Sequence, residues 1–289
     1  MKYVDLIKAR RSVRTFNKIP IDSEIADQLL YFAENCDNPF GKEIKWKILD
    51  GDEFGLSAPV IVGSDIYIAG KMKMEERAEE AFGYSFEKVV LYAKELGIGT
   101  TWIAGTMNRP AFEIAMNVGE DEVMPCVSPL GKCAAKMSFR ESMMRSAIKA
   151  DSRLPFEELF FENSFGEHLK EATLEKIKLP LEMVRLAPSA VNRQPWRVVV
   201  IGNKAHFYEK KSKGFVDRDG WDIQKIDMGI ALCHFDLVAT EMGLKTSIID
   251  ENPFINTPED TVYCATIVLT DFKKGIVSTK AFGLYFLCN

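Results

Sequence analysis

The run Ala187-Pro188-Ser189-Ala190-Val191-Asn192-Arg193-Gln194-Pro195-Trp196 constrains this chain more than any other. Before it, Leu181, Val184 and Leu186-Ala187 place apolar side chains at helical spacing, and Pro188 ends that helix. After it, Arg197-Val198-Val199-Val200-Ile201 is β-branched and almost unbroken, the pattern of a strand covered on both faces. A helix must therefore give way to a buried strand within one bend. That bend carries a hydroxyl, two amides and an indole, which can hydrogen-bond or stack on a polar planar ligand without adding charge. Ser, Asn and Pro are equally the residues of an ordinary turn.

Two further stretches stand out. Lys2 to Ala9 is expected to form a short helix, followed by Arg10-Arg11-Ser12-Val13-Arg14-Thr15-Phe16. Such an arginine cluster reads either as a solvated basic edge or as planar forks suited to phosphate oxygens, with Ser12 as an added donor. Later, Phe86, Val89, Val90, Ala93 and Leu96 recur at three- and four-residue steps, predicting a helix over Tyr84 to Leu96 that stops at Gly97. Ile98-Gly99-Thr100-Thr101-Trp102-Ile103-Ala104-Gly105 follows, and its glycines let backbone approach a ligand. A lone Gly-x-Gly is weak by itself.

Taken together, these stretches resemble the nitroreductase family of FMN-dependent oxidoreductases, homodimers with sites at the subunit interface. The Ala-Pro-Ser-Ala-Val-Asn-Arg-Gln-Pro-Trp run resembles the family's flavin-contacting bend, and Arg-Arg-Ser-x-Arg-x-Phe resembles its opening element. Leu-Gly-Ile-Gly-Thr-Thr-Trp-Ile is similar to the segment beside the isoalloxazine, while Arg153-Leu154-Pro155-Phe156-Glu157-Glu158 resembles a late element whose arginine closes on phosphate. The resemblance implies that Arg10 and Ser12 hold the phosphate, with Arg11 beside them and Arg14 nearer the pyrimidine edge. It further implies that Thr101, Trp102, Ile103, Ala104 and Gly105 lie along the ring, the amides near Ala104 and Gly105 facing N5 and O4. Arg153, Pro188, Ser189, Ala190, Asn192 and Gln194 complete the implied FMN site. Asp151 stands where many relatives carry a second basic residue. NADH or NADPH would be the donor and a nitroaromatic, quinone or related small molecule the acceptor, in ping-pong alternation. No motif residue is an obligatory proton donor or nucleophile, so no catalytic side chain is assigned. Dehalogenation, flavin-consuming chemistry, or flavin binding without turnover are the alternatives on the same scaffold.

An internal repeat accounts for the length of 289 residues. Helix, bend, tryptophan and strand recur around Trp46 and Trp196, and Lys88 to Thr100 matches Cys233 to Thr246 in pattern. The first copy keeps the arginine element but replaces the bend with Glu34-Asn35-Cys36-Asp37-Asn38-Pro39-Phe40-Gly41; the second keeps the bend but has no arginine element. The resemblance thus implies an α+β, nitroreductase-like fold of mainly antiparallel sheets flanked by helices, with one chain imitating the homodimer as a monomeric pseudo-dimer. Its expected parts are a first repeat over 1–165, a degenerate second repeat over 166–271, and an apolar tail over 272–289.

Other expected elements are a helix from Asp22 or Ser23 to Glu34, strands at Ile44–Leu49 and Pro59–Gly63, and a helix from Asn108 to Asn117. A strand at Glu122–Val127, a helix over Ser138–Ala150, and strands at Thr246–Ile249 and Val262–Thr270 complete them. A loop is expected at Asp217–Gly220, with Asp219 or Asp222 capping the following helix. Lys+Arg 37 against Asp+Glu 42 gives a net charge of −5, with no electrostatic pull toward nucleic acid. The early acidic residue Asp5 argues against a signal peptide, and no apolar run suits a bilayer, so a cytoplasmic protein is expected. Six scattered cysteines without a Cys-x-x-Cys pair, and three distant histidines, support neither a metal site nor a disulfide framework. His234, beside Phe235 in the second-copy helix, is expected to be a satisfied structural histidine.

Overall fold

The computed structural model describes residues 1–215 and 220–271. Most of the loop expected at Asp217–Gly220 and the apolar tail lie outside the described residues. Helices are α1 (Tyr3–Ala9), α2 (Ser23–Glu34), α3 (Gly51–Phe54), α4 (Ala78–Glu95), α5 (Arg109–Met116), α6 (Phe139–Ala147), α7 (Glu171–Arg185) and α8 (Ile223–Glu241). Strands are β1 (Ile44–Asp50), β2 (Ile66–Lys73), β3 (Glu122–Val123), β4 (Val127–Pro129), β5 (Phe160–Glu162), β6 (Trp196–Ile201), β7 (Lys204–Lys210), β8 (Leu244–Ile249) and β9 (Thr261–Asp271). The result is an α+β fold in which helices flank two sheets.

In the first sheet β2 is central, pairing antiparallel with β1 along its length and with β4 and β3 on its other edge. Residues 99–103 extend that edge through single antiparallel bridges, Ile103 to Val127 and Gly99 to Gly131. The second sheet runs β5-β6-β7-β9-β8, antiparallel except for the short parallel pair β5–β6. The bridged segment following α4 and β8, which follows α8, thus lie beside β4 and β9 respectively.

The two long helices cross at the middle of the molecule. A Cβ on Gly83 of α4 would lie 2.0 Å from the Ile226 carbonyl oxygen of α8, and one on Gly229 of α8 would lie 2.1 Å from the Glu80 carbonyl oxygen of α4. Only hydrogen side chains permit that approach. Both helices then end alike, Gly97 at φ +76° and Gly243 at φ +87° adopting the left-handed turn that terminates an α-helix. Asp222 caps α8, its Oδ1 accepting from Gln224 N at 2.9 Å.

The expected strand at Pro59–Gly63 is not one. Residues 59–60 form a turn, and only Val62 pairs, through one bridge to Thr15. The second strand is β2, where the chain reverses out of β1 through the short α3. The strand expected at Glu122–Val127 is split into β3 and β4 by Met124-Pro125-Cys126, consistent with a proline that cannot donate to a ladder.

Candidate functional site

Four segments meet around one cationic patch. The first begins where α1 stops: Arg10 turns extended, at φ −70° and ψ 134°. The chain then lies parallel to the segment after α4, Ser12 bridging Thr100 and Val13 N donating to Thr100 O at 2.8 Å. The arginine element and the Thr100–Gly105 segment are thus main-chain neighbours. The third segment is α6 with the loop to Arg153, and the fourth is the bend at 187–194.

Glu141 in α6, 1% exposed, holds the arginine element in place. It accepts from Arg14 N at 3.2 Å, Thr15 Oγ1 at 2.7 Å and Arg11 Nη1 at 3.3 Å. Arg11 is therefore occupied by a carboxylate. The helical pattern over Ser138–Ala150 did not single out Glu141; the Ser138-x-x-Glu141 spacing of a capping box was the available signal. Ser138 does cap α6, accepting from Glu141 N at 3.2 Å.

Arg153 ties this side to the bend. Its Nη1 donates to the carbonyls of Ala150 and Ser152 at 2.9 and 2.8 Å and lies 3.3 Å from Asn192 Oδ1. Asn192 Nδ2 returns bonds to the Lys149 and Ser152 carbonyls at 2.8 and 3.0 Å, and Gln194 Oε1 accepts from Leu154 N at 2.9 Å. The amides expected to face a ligand are largely spent bracing the bend. Ser189 Oγ likewise accepts from Gln194 N at 2.9 Å, and Ala190 N donates to the buried Asp227 carboxylate of α8 at 3.1 Å. Burial raises the Asp227 carboxyl well above the ordinary range, against the lowering effect of that amide. The bend is strained: Val191, Asn192 and Gln194 have φ of 41°, 60° and 52°, and a β-branched residue is costly there.

What these segments leave without hydrogen-bond partners are guanidinium N–H groups. Arg10 Nε, Arg14 Nη1 and Arg153 Nε are buried and have no hydrogen-bond partner. Burial lowers the pKa of all three guanidiniums. Arg145 further depresses Arg10 and Arg14, and Arg10, Arg185 and Arg145 further depress Arg153. Arginine stays charged regardless, so the shifts record guanidiniums desolvated by burial, with Glu87 partly offsetting the effect at Arg10 and Glu141 at Arg14. A cavity of about 410 Å³ opens alongside, lined in part by Ser142, Arg145, Ser146 and Lys149.

The Thr101–Gly105 segment supplies a different surface. Thr101 N donates to Ser128 Oγ at 3.1 Å and Ile103 is clamped to Val127 by two bonds of 2.9 Å. The Trp102 ring packs on Phe86 with centroids 4.7 Å apart. Among the described residues the amides of Ala104 and Gly105 have no acceptor, and nothing lies within 4 Å of where a Gly105 Cβ would be. These amides remain available to a ligand.

The model of a family described as "Putative TM nitroreductase" matches residues 2–239. The chain belongs to this nitroreductase family. Among solved structures, a "putative nitroreductase" from Thermotoga maritima MSB8 covers 93% of this chain and 94% of its own, at 24% identity and a TM-score of 0.61, a likeness that establishes the fold. A nitroreductase family protein from Clostridium difficile 630 covers 55% of this chain and 96% of its own, at 14% identity and a TM-score of 0.44. An FMN-dependent nitroreductase from Clostridium difficile R20291 covers 48% and 92%, at 17% and 0.39. Among curated proteins none matches by sequence.

The donor set of this family member fits a flavin mononucleotide. Unpartnered guanidinium nitrogens suit a phosphate, and free amides beside an open glycine suit the hydrogen-bonding edge of a flat heterocycle. Among the described residues no helix is long and apolar enough to cross a membrane.

Proposed function

We propose that this protein is an FMN-dependent reductase that takes electrons from NADH or NADPH and delivers them to a nitroaromatic, a quinone or a related small acceptor. The observation that carries this reading is the trio of buried, unpartnered nitrogens on Arg10, Arg14 and Arg153, the last of these arginines also bonded to Asn192 of the strained bend. Arg10 and Ser12 would hold the phosphate and Arg153 would close over it from the bend side. Arg14 would stand nearer the pyrimidine edge, where a positive charge favours added electron density. The amides of Ala104 and Gly105 would orient the ring, with Trp102 and Ile103 fixing the segment that carries them. Bound FMN supplies the hydride acceptor and donor atom; the protein contributes position and electrostatics.

The reading extends to architecture. Corresponding segments after α4 and α8, and reciprocal glycines on those helices, support two repeats, 1–165 and 166–271, that together imitate the family homodimer. One complete site would then form between them.

The purified protein should be yellow and release FMN on denaturation. Under argon, NADH or NADPH should bleach it, and menadione or a nitroaromatic should restore the colour. Flavin that neither nucleotide bleaches would leave a flavin-binding protein and refute the reductase.

A further inference from the structure

Glu87 of α4 and His234 of α8 are completely buried where the two helices face each other. His234 Nε2 lies 2.9 Å from Glu87 Oε1, and His234 Nδ1 lies 2.8 Å from the Met183 carbonyl of α7. The same carboxylate reaches both first-half motifs of the proposed site. Its Oε2 accepts from Trp102 Nε1 at 3.1 Å, and its Oε1 stands 3.7 Å from Arg10 Nε, an ion pair too long for a hydrogen bond. Across the chain these partners are up to 147 positions apart.

Hydrogen-bond accounting fixes the protons. A carbonyl only accepts, so His234 Nδ1 carries a hydrogen. A neutral ring would then turn its Nε2 lone pair toward a carboxylate oxygen, so the 2.9 Å contact requires one more proton, on Nε2 or on Oε1. Either way Arg10, Glu87 and His234 together carry one net positive charge. Without that proton the sum is zero.

We propose that Glu87 and His234 are a positioning pair that shares one buried proton, holds Arg10 and Trp102 in place, and sets the charge that the patch offers to a phosphate. Neither residue touches the ligand; both act through Arg10 and Trp102. This rests on the reading of the arginine patch as a phosphate site. An imidazole from the second half thereby tunes a binding group of the first.

The two conservative variants separate the charge states. Glu87→Gln copies the protonated state: its amide oxygen accepts from Trp102, its NH2 donates to His234, and the positive sum is kept. His234→Gln keeps a donor to Glu87 but removes the charge. Affinities of the flavin-stripped full-length protein for FMN and for riboflavin, which lacks the phosphate, are measured at pH 7.5 by quenching of flavin fluorescence. Glu87→Gln, which loses the anion beside Arg10 but keeps the positive sum, should lose less FMN affinity than His234→Gln. His234→Gln should bind FMN roughly tenfold more weakly, on the order expected for one charge near a dianion, with riboflavin affinity unchanged. A purely structural pair would weaken both ligands in both variants, and that pattern overturns the inference, as does FMN affinity unchanged by His234→Gln. Parent protein that binds FMN and riboflavin equally would instead refute the phosphate site itself. If one variant fails to fold, the other decides on the same two ligands.

Discussion

At the scale of single residues, the site is defined by buried guanidinium N–H groups left without hydrogen-bond partners. Arg10 makes no side-chain hydrogen bond among the described residues, and its only close anion is Glu87 at 3.7 Å. Arg10→Ala should weaken FMN binding by about 1.5–3 kcal/mol, the scale of a charge-assisted hydrogen bond. Equilibrium dialysis would measure it, and a variant that retains stoichiometric flavin would remove Arg10 from the phosphate. A different buried charge governs stability. Burial, and then Asp222, raises the Glu209 carboxyl from 4.5 to about 7, and its Oε1 has no partner. Because the folded value lies above the unfolded one, this stabilisation is complete below about 4.5 and is lost as pH rises through about 7. Glu209→Gln should therefore match the parent near pH 5 and exceed it at pH 8, by up to about 3 kcal/mol. Thermal melts at the two pH values test the sign.

At the scale of elements, sequence patterns located most helices but misplaced a strand. Val60-Ile61-Val62 is β-branched and apolar, yet it is spent on a turn and one bridge. The actual strand β2 contains Gly70 and two lysines, which weaken its pattern. The structure explains the glycine: a Cβ there would lie 2.6 Å from the Trp46 ring, so the indole of β1 occupies the space of a side chain. β7 went unrecognised because His206 and Glu209 interrupt its apolar run, although both are buried. The arginine element, the Gly-Thr-Thr-Trp segment and the bend were legible because each motif is contiguous. Glu87 was not, since its partners lie on other elements and no local spacing reveals it; Glu141 showed only the Ser138-x-x-Glu141 spacing of a cap, which says nothing of the arginine element it holds. The crossing of α4 and α8 yields a sharp expectation: Gly83→Ala or Gly229→Ala should destabilise the protein by about 1–3 kcal/mol, through overpacking against backbone that cannot move aside. Denaturant midpoints measure the effect, and an unchanged midpoint would mean that the helices can separate without penalty.

At the scale of the whole molecule, we expect one chain to suffice. Size-exclusion chromatography with light scattering should give the mass of a single polypeptide, 32.6 kDa, with flavin bound. A mass twice that, together with flavin lost on dilution, would show that the site needs a second copy. The crossing glycines carry one more consequence. In a symmetric pair of identical subunits every substitution is suffered twice, once on each side of the axis. Here Gly83 and Gly229 are separate codons of one gene, so in the proposed pseudo-dimer each side would be free to accumulate changes that its counterpart never has to tolerate. On the proposed pseudo-dimer, the second site, which lacks the arginine element, would be raw material for a specificity that no duplicated subunit could acquire without disturbing its first.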